Sequence, residues 1–170
     1  MKQRCHWVNL ENPLYIEYHD KEWGVPIYDD QKLFEMLCLE GAQAGLSWET
    51  VLNKRENYRK AFRNFDPVKI SKFTEKQVEK LMQNAGIIRN RLKINSVIIN
   101  AKAYLQLKKE GISFNDYLWS FEDANNMSKD LKRRGFKFVG ATICYAFMQA
   151  VGIVNDHDKA CFARRALKVR

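Results

Sequence analysis

Cys5 and His19 near the start of the 170-residue chain, and His157 and Cys161 near its end, are side chains that bind metals. No other feature constrains the fold so strongly, because one ion held by all four would tie the two terminal segments together. Two thiolates and two imidazoles suit tetrahedral Zn²⁺, and a set with no open position is structural rather than catalytic. The four-residue spacing of His157 and Cys161 puts both on one helical face, about a turn apart, whereas the spacing of Cys5 and His19 says little. Spacing alone leaves a second reading open, in which the thiols are small hydrophobes and the imidazoles ordinary core or surface groups.

A chain of this length can bury a substantial interior as one domain over residues 1–170. No apolar stretch reaches the roughly 20 residues that span a bilayer, and the polar start Met1-Lys2-Gln3-Arg4-Cys5 is unlike a secretory signal. The expectation is a cytoplasmic protein with reduced thiols, no membrane contact, and Cys38 and Cys144 in the core. Charge is uneven: residues 1–50 carry 4 Lys/Arg against 9 Asp/Glu, and residues 51–170 carry 25 against 11. A basic face of that size favours nucleic acid, although a solvated lysine-rich helix surface gives the same count.

Almost every segment has helical period and none alternates like a strand, so the expected fold is all-α. Asp29-Asp30 and Ser47 are helix caps, the Ser47 helix continuing through Val51 and Tyr58. Asp66-Pro67 is a cap followed by a first-turn proline, and Thr74-x-x-Gln77 has the capping-box form. A long helix buries Ile94, Val97, Ile98, Ala101, Tyr104 and Leu105 and ends at Gly111. Ser113 starts a short helix, Ser128 caps a basic one that Gly135 stops, and an apolar helix runs from Ala141 to Val151. No sustained heptad or exposed apolar face argues against a monomer.

Two places suggest chemistry. The last two helices are joined by Gly135-Phe136-Lys137-Phe138-Val139-Gly140, followed by Ala141-Thr142. A glycine at 140 lets a ligand approach the backbone, and free N–H groups opening the next helix favour an anion such as a DNA phosphate. The bland alternative is a plain αα-corner. The second place is Glu40, an acid in the apolar run Leu33–Gly41, with Trp7, Trp23, Trp48, Tyr15 and Tyr18 all in the first 50 residues. Aromatic faces and one acid make a box for a flat cationic heterocycle. They are also readable as core, with Glu40 acting as a cap or paired to a lysine.

Longer words of the sequence resemble the 3-methyladenine DNA glycosylase I family. They are Arg4-Cys5; Tyr15-Ile16-Glu17-Tyr18-His19-Asp20-Lys21-Glu22-Trp23-Gly24-Val25-Pro26; and Gln43-Ala44-Gly45-Leu46-Ser47-Trp48. Ala85-Gly86-Ile87-Ile88-Arg89, Arg133 to Gly140, and Gly152-Ile153-Val154-Asn155-Asp156-His157 continue the match over nearly the whole chain. The resemblance implies a helix–hairpin–helix fold, a structural zinc on Cys5, His19, His157 and Cys161, and hydrolytic release of 3-methyladenine from alkylated double-stranded DNA. It implies a base pocket of Tyr15, Tyr18, Trp23, Glu40 and Trp48, with Trp7 close by. Glu40 is the one catalytic assignment, through recognition of the base rather than hydrolysis. Leu46 would be the apolar wedge in the DNA stack, and Lys137, Val139, Gly140 and Thr142 the hairpin's DNA contacts.

Bifunctional relatives carry a lysine after the hairpin glycine, where this chain has Ala141, so no strand-cleaving activity is expected. Asp156 lies roughly where related glycosylases place an aspartate, and its reading here is structural. Family members usually carry a longer polar segment before the Ser128 helix, where this chain has only residues 122–127. That departure puts DNA contacts and product release in question, and leaves pocket and zinc positions untouched. The competing function is a zinc-stapled DNA-binding module without catalysis, and an RNA-directed role has only charge in its favour.

Overall fold

A computed structural model describes residues 1–164, which form ten α-helices, one 3₁₀ turn at Arg63–Phe65 and no strand. Local signals set most of the boundaries. The Asn12 side chain accepts from Leu14 and Tyr15 N–H to start α1 (Pro13–Lys21), and Asp29 caps α2 (Asp30–Ala42). Ser47 caps α3 (Trp48–Asn53), which is followed by α4 (Arg55–Ala61). Asp66 and its following proline start α5 (Pro67–Ser71), and the Thr74/Gln77 capping box starts α6 (Glu75–Met82). The long helix is α7 (Arg91–Lys109), with Gly111 beyond its end at φ +78°, and Ser113 caps α8 (Phe114–Trp119). The hairpin consists of α9 (Ala124–Arg133) and α10 (Ala141–Ala150). No helix among the described residues is long and apolar enough to cross a membrane.

The centre of the fold is α2, in which every residue from Leu33 to Ala42 is buried. A helix apolar on all sides has to be enclosed, and α2 is packed against α3, α7, α8 and α10. Glu40 is therefore held inside a crowded helix rather than on a surface one. Cys38 and Cys144 are buried core residues, as their apolar surroundings predict.

Two boundaries and one buried face differ from the sequence expectation. The helix from Ser47 does not continue to Tyr58: Lys54 N–H bonds to Val51 O, a tightened 3₁₀-type closure, and the chain restarts as α4. The redirected chain brings Arg55 to Glu22, with contacts of 2.7 and 2.8 Å. Ser128 is not a cap but lies inside α9, where its Oγ donates to Val139 O at 2.7 Å; Asp123 caps that helix by accepting from Asn126 N–H. In α7, Leu105 is only partly buried, and Ala103 and Leu107 complete the inner stripe.

Candidate functional site: an aromatic cavity beside a Cys/His cluster

Tyr15 and Tyr18 of α1, Glu40 of α2, Trp48 of α3, and Trp7 and Trp23 of the flanking segments line one cavity of about 340 Å³. This is within the usual size for a small-molecule site. Glu49 keeps α3 in register with α1 by accepting from Asn9 (3.0 Å) and Asn12 (2.8 Å), which sets the Tyr18 and Trp48 ring centroids 5.4 Å apart. Trp7 lies 5.4 Å from Tyr15 and 4.9 Å from Trp23. Behind the cavity, the guanidinium of Arg55 lies 5.9 Å from the Tyr18 ring while bonded to Glu22.

Glu40 is 4% exposed, and its carboxyl group has no hydrogen-bond partner among the described residues. Burial pushes its pKa up to about 8. The indole N–H of Trp48 is likewise buried without a partner. A carboxyl group without a protein partner and a buried indole N–H left unpaired in one cavity are costly, and native proteins keep such groups where something else satisfies them. Asp156 reaches the cavity rim, where Tyr145 O–H and Gln149 Nε2 (2.9 Å) both donate to its Oδ2.

Next to the cavity, Cys5, His19, His157 and Cys161 converge, with their ligand atoms all within 4.8 Å of one another. Cys5 Sγ is 3.5 Å from His157 Nδ1, and Cys161 Sγ is 3.4 Å from His19 Nε2. The other ring nitrogens are occupied: His19 Nδ1 meets Asp20 Oδ1 at 2.8 Å, and His157 Nε2 meets Trp23 O at 3.0 Å. Such outer partners fix the tautomers, so His19 Nε2 and His157 Nδ1 are the nitrogens that face the thiols. Arg4 holds Asp20 in place and keeps its carboxylate down at about 2. Burial pushes the Cys5 thiol up to about 12 in the absence of a cation, so a metal is what would make it a thiolate. The four residues suit one tetrahedral ion.

The hairpin turn is braced from four elements. Asn100 of α7 accepts from Lys137 N–H at 2.7 Å and donates to Lys137 O at 3.2 Å. Val139 O accepts from Ser128 Oγ and from Cys144 Sγ (3.3 Å). An added Cβ on Gly41 would lie 3.2 Å from that of Phe138, so the residue after Glu40 touches the turn directly. Gly140 has an ordinary φ of −62°, no side chain caps α10, and an added Cβ at 140 meets no protein atom. The N–H groups opening α10 therefore have no side-chain cap.

All five expected pocket residues line one cavity, and all four expected ligands form one cluster. Lys137 and Thr142 are exposed, as is Leu46 at 39%. Val139 is 2% exposed and its carbonyl is engaged, so its side chain is not available to DNA and only its backbone N–H remains to offer. Sequence reasoning missed Asn100, a polar residue buried in α7 with Val97, Ala101 and Tyr104. It also missed Gln43, which lines the cavity.

Fold and site together define a helix–hairpin–helix protein with an acidic, aromatic cavity sized for a nucleobase. The methyladenine glycosylase family model matches residues 7–164. DNA-3-methyladenine glycosylase 1 of Escherichia coli (strain K12) is 55% identical, covering 94% of this chain and 95% of that protein. The Haemophilus influenzae DNA-3-methyladenine glycosylase is 51% identical, covering 95% and 97%. A crystal structure of 3-methyladenine DNA glycosylase I superposes with a TM-score of 0.92 at 52% identity, covering 96% of this chain and all of that one. A tyrosine-to-phenylalanine variant of 3-methyladenine DNA glycosylase I in complex with 3-methyladenine gives a TM-score of 0.90 at 34% identity, covering 96% and 98%. This chain belongs to the methyladenine glycosylase family. The alignment with the E. coli protein runs over 179 positions, more than the 170 residues here, so that relative carries residues this chain lacks.

Proposed function

We propose that this protein is a monofunctional DNA glycosylase that flips 3-methyladenine out of alkylated double-stranded DNA and hydrolyses its bond to the sugar, as the first step of base excision repair. The observation that carries the reading is the unpartnered, buried carboxyl group of Glu40 in a cavity walled by Tyr15, Tyr18, Trp23 and Trp48. Methylation at N3 makes adenine cationic. Ring faces attract a cation, and its charge favours the ionised form of Glu40, which burial otherwise keeps protonated up to about 8. Unmodified adenine brings no such charge, so the cavity selects by chemistry as well as by shape.

A cationic purine is already a good leaving group. As the bond between N9 and C1′ breaks, its electron pair neutralises the purine, and water adds to C1′ with loss of a proton. Glu40 recognises and orients the base in this scheme and does not attack the sugar. Ala141 leaves no amine at the lyase position.

Leu46, exposed on the turn before Trp48, is the wedge that fills the gap left in the stack. The bare N-terminus of α10, with Lys137, Gly140 and Thr142, holds a backbone phosphate, and Val139 contributes main chain only. Cys5, His19, His157 and Cys161 hold one Zn²⁺, which supplies no hydrolytic chemistry and clasps the terminal segments. The protein acts as a cytoplasmic monomer. Release of free base from methylated duplex DNA tests the reading. Glu40→Gln and Trp48→Ala are expected to lower the rate by about 10²-fold. Duplex binding with steep salt dependence and no base release by the unmodified protein would replace it with a binding module.

A further inference from the structure

Lys93 occupies the third position of α7, where a positive charge opposes the helix dipole. Its backbone N–H is satisfied by Asn90 Oδ1 at 3.0 Å, so local helix capping does not call for its side chain. The side chain turns away from α7, and its ammonium donates to Ala42 O at 3.0 Å and to Ala44 O at 2.6 Å. Those carbonyls lie where α2 ends, among the groups that a helix C-terminus leaves without partners. A cation is favoured there by the negative end of the α2 dipole. Burial lowers the pKa of the amine from its ordinary value.

The turn beyond α2 is tied back to that helix by Gln43 N–H to Leu39 O and Ala44 N–H to Gly41 O, and it closes upon itself where Leu46 N–H bonds to Gln43 O at 2.7 Å and Gln43 Nε2 donates to Leu46 O. All of those bonds are local in sequence and join the turn either to α2 or to itself. Lys93 provides the long-range tie, from a rigid 19-residue helix to the carbonyls on either side of Gln43. Gln43 is itself a wall of the cavity.

We propose that Lys93 is a positioning residue for duplex opening: by gripping Ala42 O and Ala44 O it aims the Leu46 turn, so that the wedge enters the stack while the flipped base enters the cavity. The inference rests on the reading of Leu46 as the wedge. Lys93 touches neither base nor sugar in this role.

The test uses full-length protein and two readouts: single-turnover release from methylated duplex DNA, and affinity for free 3-methyladenine measured by tryptophan quenching. Lys93→Met is expected to slow release about tenfold while free-base affinity changes less than about twofold, because only the DNA step needs the wedge. Lys93→Arg, which keeps two donors, is expected to restore most of the rate. In a Leu46→Ala background, Lys93→Met should cost nothing further, since both changes remove one function. Weakened free-base binding would mean that Lys93 merely supports α2 and Glu40, and would overturn the proposal. Additive losses in the double variant would overturn it too. If Leu46→Ala alone leaves release unchanged, the wedge reading itself fails and takes this inference with it.

Discussion

Glu40 concentrates the chemistry of this site in one residue, and its behaviour in the empty protein is as informative as its behaviour with a base. Burial raises its pKa from an ordinary 4.5 to about 8, so the folded state holds this proton more tightly than the unfolded chain does. The stability it contributes is fully present below about pH 4.5 and is lost as pH rises through about 8. Glu40→Gln removes that dependence while keeping size and shape. The variant should melt close to the parent at about pH 5, and should be more stable at about pH 9 by something on the order of 1–3 kcal/mol. Thermal unfolding at the two pH values checks this, and equal differences at both would mean that water or a counter-ion relieves the carboxylate. The sequence made Glu40 visible because an acid in the apolar run Leu33–Gly41 needs a reason. It could not show the missing partner, which is a property of every neighbour at once.

At the scale of elements, two glycines near the ends of α10 should behave in opposite ways. Gly140 has ordinary backbone angles and open space before it, so Gly140→Ala should change stability by less than about 1 kcal/mol. Duplex affinity should still fall about tenfold as a methyl group intrudes between α10 and a phosphate. Gly152 has φ +84°, and an added Cβ would lie 2.6 Å from Pro26 N, where Gly24 N–H and Ile27 N–H bond to Ala150 O and Val151 O. Gly152→Ala should cost about 2–4 kcal/mol by denaturant titration, and should disturb Trp23, which shares that segment. Local signals made the elements legible: caps at Asp29, Ser47, Asp66 and Ser113 and the Thr74/Gln77 box needed no knowledge of the fold. Ser128 misled because a serine before a basic helix resembles a cap, whereas its hydroxyl serves Val139 across the hairpin. Bonds across large sequence separations, such as Asn100 to Lys137 and Lys93 to Ala44, leave no periodic trace.

For the whole molecule, the terminal segments form a small cluster of their own, in which Cys5, Val8, Cys161 and Ala163 are buried beside Trp7 and Trp23. The main core on α2, α7 and α10 is far larger and does not include the four ligands. Trp7 and Trp23 belong to both regions, and Trp23 lies 4.6 Å from the His157 ring. A metal here therefore holds one wall of the cavity to the body of the protein, and the same geometry sets the order of events when it is removed. Without a cation, the Cys5 thiol is pushed up to about 12, so the cluster loses its main source of cohesion. Chelation should lower the melting temperature by several degrees, equivalent to at least about 2 kcal/mol, and red-shift tryptophan emission before helical circular dichroism is lost. Zn²⁺ added back should reverse both changes, and Cys5→Ala should reproduce them without chelator. A chelated protein that kept its melting temperature and tryptophan emission while losing only base release would instead assign the ion to the chemistry, because a clasp cannot fail without loosening what it holds.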